Sequence, residues 1–535
     1  MSKRGIPRRN FLQYGLAAAA TSPWLLGQTR EAEAHPKQDR LSRDAIFCNV
    51  AVIGGGAAGI HSAYQLAKLP VSNPDSNVYV FEKENRLGGR IFDVALDPSK
   101  PDLVFGTGAL RVMETQNYVL KLAQDLGITL EAAPWRDDLI SARGFFAFTS
   151  DELNQQAYPL VTKEFLEGGG FDTEAALYDQ LRFGPERQNI ATYPDFRSYV
   201  RAVVGPQGYR FLTEMFRFRA DFEATLDARA YLDYFDEEWD VCCTPFYPTG
   251  GMSEFIKRMA ADAVRNGAKI HLAEPAQSIS TQSGDHRYLI LTPKYAVSAK
   301  KLILASEAAT LSHIQGNIIE DITAQPQFQD LVGIEVATVA QRWPRAWWLE
   351  SGYPGKEIRR AWTTEQSLNA LEIPIAPYVA DQLVTRTVYT DDINGVAFWK
   401  TAASRGIAHV EGEIMRGLKY LFPKANIPPA LNTHVQVWPA GWYWLKGGSR
   451  FTNANIATWA ISPLDNHKEV SLVGESYNPQ RSGWSDGAYK SSINTLNKRY
   501  GFDIAIPSTA PQLAAFANSR EQMASRRAHA PHSSR

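Results

Sequence analysis

Asn49-Val50-Ala51-Val52-Ile53-Gly54-Gly55-Gly56-Ala57-Ala58-Gly59 decides the fold of this chain. Its opening is a short apolar run suited to a buried strand, and beyond it Ile60, Ala63, Tyr64 and Ala67 recur at helical spacing. Strand, glycine turn and helix in that order form a phosphate-binding unit. Gly54 permits the tight turn, Gly56 lets the backbone approach a pyrophosphate, and Gly59 lets helix and strand pack closely. The first helical turn, with Ala58, presents backbone amides to the phosphates. A second apolar run, Val78 to Phe81, ends in Glu82, 23 residues past Gly59. A carboxylate there accepts hydrogen bonds from ribose hydroxyls and favours a dinucleotide without a 2′-phosphate.

Composition sets the outer limits. The chain has 535 residues with 44% hydrophobic and 21% charged residues, enough apolar surface for large cores and too much for a disordered chain. Lys plus Arg number 56 against 57 Asp plus Glu, so no net basic field exists to hold nucleic acid. Cysteines are three, Cys48 and the adjacent Cys242 and Cys243, which build neither a metal site nor a disulfide framework. No metal is expected.

Outward from the glycine turn, Glu82 runs into Lys83-Glu84-Asn85-Arg86-Leu87-Gly88-Gly89-Arg90. Near the other end, the strand pattern Val470 to Val473 leads into Gly474-Glu475 and then Gly483-Trp484-Ser485-Asp486-Gly487-Ala488. Both segments resemble the flavin-containing amine oxidases, and the resemblance extends over about residues 45 to 505. It implies an α/β fold: a Rossmann-like FAD-binding domain assembled from discontinuous segments (45–115, 248–330 and 432–505), a helical substrate lobe (116–247) and a substrate-binding sheet domain (331–431). It also implies that Lys83, Gly89 and Arg90 lie on the phosphate side of FAD and Glu475 at its ribityl or phosphate groups. Gly474, Gly483, Trp484, Ser485 and Ala488 would surround the isoalloxazine, and Ala276 would lie in the middle FAD segment.

Gly106-Thr107-Gly108-Ala109-Leu110-Arg111 follows the strand-like Leu103 to Phe105. In the L-amino-acid oxidase branch of the family an arginine at this place binds the substrate carboxylate, while Gly108, Ala109 and Leu110 touch FAD. A guanidinium fork suits a carboxylate, and a simple amine gives it nothing to bind. A structural arginine is the other reading of Arg111. Thr385-Arg386-Thr387-Val388-Tyr389 resembles the strand whose tyrosine also touches the carboxylate, although an ordinary strand tyrosine fits the same residues. The aromatic stretch Trp438-Pro439-Ala440-Gly441-Trp442-Tyr443-Trp444 is expected to put Trp438 near the flavin, with Trp484 as a flat wall for the substrate. Ser449 stands where a covalently tethered flavin has its cysteine, so FAD is expected to be non-covalent.

Two residues depart from the family pattern. Thr338 stands where animal members carry a lysine that holds a water beside the flavin, which leaves oxygen or a carrier such as a quinone open as electron acceptor. No histidine occurs between His61 and His271 to act as a base, a lesser loss because hydride transfer from a neutral amine needs none. The acidic run Asp233, Asp236, Glu237, Glu238 and Asp240 reads as a solvated face or, alternatively, as selection for L-arginine and L-lysine.

The ends carry addresses rather than fold. Lys3, Arg4, Arg8 and Arg9, then Asn10-Phe11-Leu12, an uncharged stretch to Arg30 and Ala32-Glu33-Ala34 before His35 follow the order of a twin-arginine signal peptide over 1–34. A membrane anchor is the alternative, weakened by Gln13, Thr21, Ser22, Pro23 and Gln28. Export by the twin-arginine machinery to a bacterial periplasm is expected, and residues 508–535 read as a flexible tail.

Taken together these readings expect an exported FAD-dependent L-amino-acid oxidase giving 2-oxo acids, ammonia and hydrogen peroxide. Its rivals are an amine or polyamine oxidase, an L-amino-acid dehydrogenase passing electrons to a quinone, and a flavoprotein without turnover. A homodimer is compatible with the sequence and not required by it.

Overall fold

The computed structural model describes residues 43–508 except 134–136, 159–160, 162–173, 217, 240–243, 366, 374–382 and 480–482. The expected signal peptide, Cys242, Cys243, Asp240 and the tail beyond Ser508 lie outside the described residues.

Strand Asp44–Ile53 lies at the centre of the first sheet, and its second half, Val50 to Ile53, is apolar and buried on both faces, as a strand covered on both sides requires. It pairs in parallel with Val78–Phe81 on one side and Tyr295–Leu304 on the other. Lys269–His271 and Val470–Leu472 extend the parallel array outward, and Tyr288–Leu291 and Ser278–Thr281 add an antiparallel edge. Val50, Val52, Val78 and Val80 point to one face, under helices Ala57–Leu66, Ser253–Arg265 and Ser485–Arg499; Ala51, Ile53 and Phe81 point to the other. This is a Rossmann-like sheet drawn from three stretches of chain far apart in sequence.

The second sheet runs in the spatial order Asn432–Leu445, Leu331–Arg342, Val384–Thr390, Ala370–Glu372, Ile358–Thr363, Asp137–Ala142, Phe145–Ala147. Ile334 and Val336 face the helical lobe, built from Glu174–Phe183, Phe196–Met215 and Ala228–Trp239, while Ala337 and Val339 face helices Ile393–Ser404 and Ile407–Leu421. Three placements differ from the sequence reading. Asn432–Leu445 was expected with the FAD segments, but it pairs along Leu331–Arg342 over its whole length. Asp137–Ala142 and Phe145–Ala147, expected in a helical lobe, close the far edge of this sheet instead, and helix Asn117–Asp125 packs into the core of the first domain.

Lobe and sheet meet around a buried carboxyl. Asp221, 5% exposed, accepts from Tyr231 Oη (3.1 Å) and Trp444 Nε1 (3.0 Å), and burial pushes its pKa up to about 7 against those bonds. The folded protein therefore holds a proton that the unfolded chain has lost above pH of about 4, so this residue lowers stability progressively as pH rises from about 4 to 7. Asp221→Asn keeps one acceptor and cannot ionise. Its stability relative to the parent is expected to rise across that window and level off above pH of about 7, with about 4 kcal/mol as the ceiling. Paired thermal melts from pH 4 to pH 8 test this, and a pH-independent difference would refute it.

Candidate active site

The glycine turn is tight where the fold needs it and open where a ligand would lie. A first side-chain carbon on Gly59 would come within 2.0 Å of the Gly54 carbonyl oxygen, and Gly54 itself has φ +114°. At Gly56 the same carbon would meet nothing nearer than the Gly88 carbonyl oxygen at 3.9 Å. Gly56 precedes helix Ala57–Leu66 without any side-chain cap, so the amides of the first turn face that open side. The set fits a pyrophosphate. Glu82, 6% exposed, accepts the Gly55 amide on Oε2 (2.5 Å) and the Glu84 amide on Oε1 (2.8 Å). Burial raises its pKa while those two amides pull it back, and a carboxylate still has acceptor positions for ribose hydroxyls. Lys83 is exposed beside Thr310, and Ala276 follows Glu274, whose amide donates to the Glu82 carbonyl.

Leu-Gly-Gly-Arg folds back onto this turn: Gly88 donates to the Gly55 carbonyl (2.8 Å), and Gly89 takes φ +56° with a first side-chain carbon 3.5 Å from the Gly56 Cα. Arg90 then spans the domain. Its Nη1 donates to Glu475 Oε2 (2.7 Å) and to the Gly441 carbonyl (2.8 Å), while Glu475 Oε1 accepts the amides of Tyr443 (3.1 Å) and Gly483 (3.0 Å). The two cofactor motifs at opposite ends of the chain are thus one ion pair, with Glu475 only 4% exposed. Gly474 is tied to Ser491, and Trp484 immediately precedes helix Ser485–Arg499, in which Ala488 is buried. Gly483, with φ +76°, is exposed over the Trp442 side chain.

The aromatic stretch divides. Trp438 Nε1 donates to the Thr107 carbonyl (3.1 Å), and its ring lies 3.1 Å from where a Gly108 side chain would begin, so it packs against the segment Gly106 to Arg111. Trp442 and Trp444 turn into the core of the helical lobe. A bulge makes the division: Ile334 is opposite Trp442 and Val336 opposite Trp438, so Pro439 to Gly441 loop out of the ladder. That loop frees the Gly441 carbonyl for Arg90. Thr338 is buried and also donates to the Thr107 carbonyl (3.0 Å).

Arg111 is not alone. Beyond the partly buried Ala109 and buried Leu110, its Nη1 donates to Glu372 Oε1, Arg386 Nη2 donates to Glu372 Oε2, and Tyr247 Oη donates to Glu372 Oε1 at 2.9 Å. Burial works to lower the Arg111 pKa, but Glu372 and Tyr247 raise it above the usual guanidinium value. Arg386 lies 5.1 Å from the centre of the Tyr389 ring, and Tyr389 meets Phe218 edge-on at 5.6 Å. The arginine expected from sequence to anchor a carboxylate is therefore part of a cluster of two guanidiniums on one carboxylate, with the expected tyrosine beside Arg386. The sequence reading missed Glu372, Arg386 and Tyr247. Strict alternation puts residues 386 and 389 on opposite faces, but Val339 is opposite Val388 and Ala340 opposite Arg386, so Thr387 is an extra residue that breaks the alternation between them.

Other candidates found different partners. Asp236 pairs with Arg182 (2.8 Å) and Arg187 (3.2 Å), and Asp233 with Arg187 (3.2 Å), so these two acids do not supply the unpaired carboxylate a basic substrate side chain would need. Nothing is described of the Glu237 and Glu238 side chains. Ser449 is buried and donates to Asp330 (2.6 Å). Cys48 is buried in the central strand, where burial pushes its pKa up to about 12.

The sequence pattern of a family described as flavin containing amine oxidoreductase matches residues 57–495. The chain is 25% identical to achacin from Lissachatina fulica over 514 residues, covering 84% of this chain and 93% of achacin. Its fold is similar to that of cyclohexylamine oxidase from Brevibacterium oxydans IH-35A, with TM-score 0.62, 15% identity and coverage of 84% of this chain and 98% of the other. A putrescine oxidase bound to putrescine is similar at TM-score 0.57 and 16% identity, covering 86% of this chain and all of that one.

Proposed function

The chain belongs to the flavin-containing amine oxidoreductase family, and from that premise we propose that it catalyses FAD-dependent oxidative deamination of L-amino acids to 2-oxo acids, ammonia and hydrogen peroxide. One observation carries the reading: Arg111 and Arg386 converge on Glu372 beside Tyr389, which puts two buried guanidiniums, a donor type suited to a carboxylate, where the resemblance expects the substrate anchor. The flavin would be FAD, which the Gly54 to Gly59 turn, Glu82, Arg90, Glu475 and the start of helix Ser485–Arg499 would hold non-covalently. What FAD supplies once bound is acceptance of two electrons as the hydrogen leaves the substrate Cα. The protein's own part is orientation: Arg111 with Tyr389 fixes the carboxylate, and Trp484 gives the carbon chain a flat wall. The imino acid so formed hydrolyses in water.

Two rivals keep specific support. Glu372 already bonds Arg111, as a purely structural arginine in an amine or polyamine oxidase would require. Thr338 in place of lysine favours a dehydrogenase that passes electrons to a quinone. Product stoichiometry separates these: one oxygen consumed and one hydrogen peroxide formed per 2-oxo acid is the expected result, whereas turnover only with added quinone assigns the dehydrogenase. The twin-arginine leader over 1–34 supports export to a bacterial periplasm after folding around the cofactor.

A further inference from the structure

A buried polar chain links three helices behind the two helix ends proposed to hold FAD. His61 and Ser62 lie in helix Ala57–Leu66, Ser492 in helix Ser485–Arg499 and Tyr118 in helix Asn117–Asp125. The first three are wholly enclosed and Tyr118 is buried. The direction of each bond follows from counting protons. Ser62 Oγ donates to the Ala58 carbonyl (2.8 Å), in the first turn of its own helix. A hydroxyl has one proton, so in the 2.7 Å contact between Ser62 and Ser492 the donor is Ser492. That uses the Ser492 proton, so in the 2.9 Å contact between His61 Nδ1 and Ser492 Oγ the donor is the imidazole. Burial, with Lys68 adding to it, pushes the His61 pKa down to about 3, and the neutral ring carries its one proton on Nδ1. Nε2 is then an acceptor, and it meets two donors, Tyr118 Oη at 2.6 Å and Gln65 Nε2 at 3.4 Å. Every donation runs one way, from Tyr118 through His61, Ser492 and Ser62 to Ala58.

Two bonds of this chain, His61 to Ser492 and Ser62 to Ser492, cross from one helix to the other. They lie about one turn behind the start of helix Ala57–Leu66 and about two turns behind the start of helix Ser485–Arg499. A ligand that touches both helix starts at once needs them at a fixed separation, and ordering that is not built into the protein falls on the binding step. We propose that His61 and Ser492 are positioning residues for the cofactor, whose hydrogen bonds hold the two helix starts at the separation FAD requires. The inference rests on the reading of these two ends as part of the FAD cradle and adds what keeps them in register. Tyr118, at the donor end, serves stability alone.

The test follows release of FAD from purified holoenzyme by flavin fluorescence, well below the melting temperature, with thermal melts recorded in parallel. His61→Asn places an amide nitrogen where Nδ1 was and keeps the bond to Ser492. His61→Gln reaches instead to the place of Nε2 and keeps the bond to Tyr118. Melting temperature should fall further for His61→Asn, which loses more buried volume, whereas FAD should leave about threefold faster from His61→Gln and within about twofold of the parent's rate from His61→Asn. Ser492→Ala cuts both helix-to-helix bonds and should release FAD about tenfold faster, and Tyr118→Phe should lower the melting temperature with release within about twofold of the parent's. A merely structural chain would order release and melting alike. If a His61 variant fails to fold, Ser492→Ala against Tyr118→Phe decides on the same criterion. Release rates that follow the melting temperatures, or that are unmoved by Ser492→Ala, overturn the role of His61 and Ser492 alone. A parent protein that folds and binds no FAD overturns the cofactor reading and the inference together.

Discussion

Arg111→Met is expected to lower kcat/KM for L-amino acids by about 10²- to 10³-fold while leaving slow turnover of amines unchanged. A buried charge-assisted pair is worth about 2–5 kcal/mol when one partner is truncated, and each 1.36 kcal/mol is about tenfold in rate. Methionine keeps much of the side-chain volume, and Glu372 retains Arg386 and Tyr247, so no new orphan carboxylate is created. The loss should fall mainly on KM if the arginine only holds the ligand, and also on kcat if it aims Cα. Arg111→Lys should recover only part of the activity, because an ammonium provides a point charge where a planar fork is needed. Steady-state kinetics with L-leucine against 3-methylbutylamine check this. Equal losses on both would return Arg111 to a structural role.

Gly56→Val should give a folded protein that purifies without flavin. Gly56 has φ −76° and ψ −173°, extended backbone that valine adopts readily, and its side chain would enter open space. That space is where a pyrophosphate must approach the backbone, so FAD affinity should fall by about 100-fold or more while the melting temperature of the apoprotein barely moves. Gly59→Val is the contrasting control. Its first carbon would sit 2.0 Å from the Gly54 carbonyl oxygen and 2.9 Å from Ala305 Cβ, and that clash should prevent folding outright. Flavin absorbance per protein together with circular dichroism distinguishes the two. Retention of FAD by Gly56→Val at the parent's stoichiometry would refute the assignment of this turn as the phosphate cradle.

The candidate cofactor half of the site is the part that the sequence describes most fully, because its residues lie in short contiguous motifs. Gly54 to Gly59, Glu82, Arg90 and Glu475 could each be read locally, and the structure joins the last two in one ion pair across the domain. The substrate half was legible only in part. Arg111 and Tyr389 carry local signals, but Glu372 and Arg386 meet through strand pairing, and the extra residue at Thr387 defeats the two-residue alternation that strand reading relies on. The loop-out of Pro439 to Gly441 likewise separates Trp438 from Trp442, and no composition signal marks that division. The sequence grouped Asn432–Leu445 with the FAD segments, and its pairing along Leu331–Arg342 in the second sheet was not legible because its residues suit either sheet.

Anaerobic mixing of the holoenzyme with L-leucine or with 3-methylbutylamine decides whether the site recognises the α-carboxylate. The two ligands differ only in that group. Rapid bleaching of the flavin by L-leucine, with the amine slower by about 10²-fold or more, is the expected result. Bleaching by the amine at the same rate would contradict the carboxylate anchor and identify the protein as an amine oxidase.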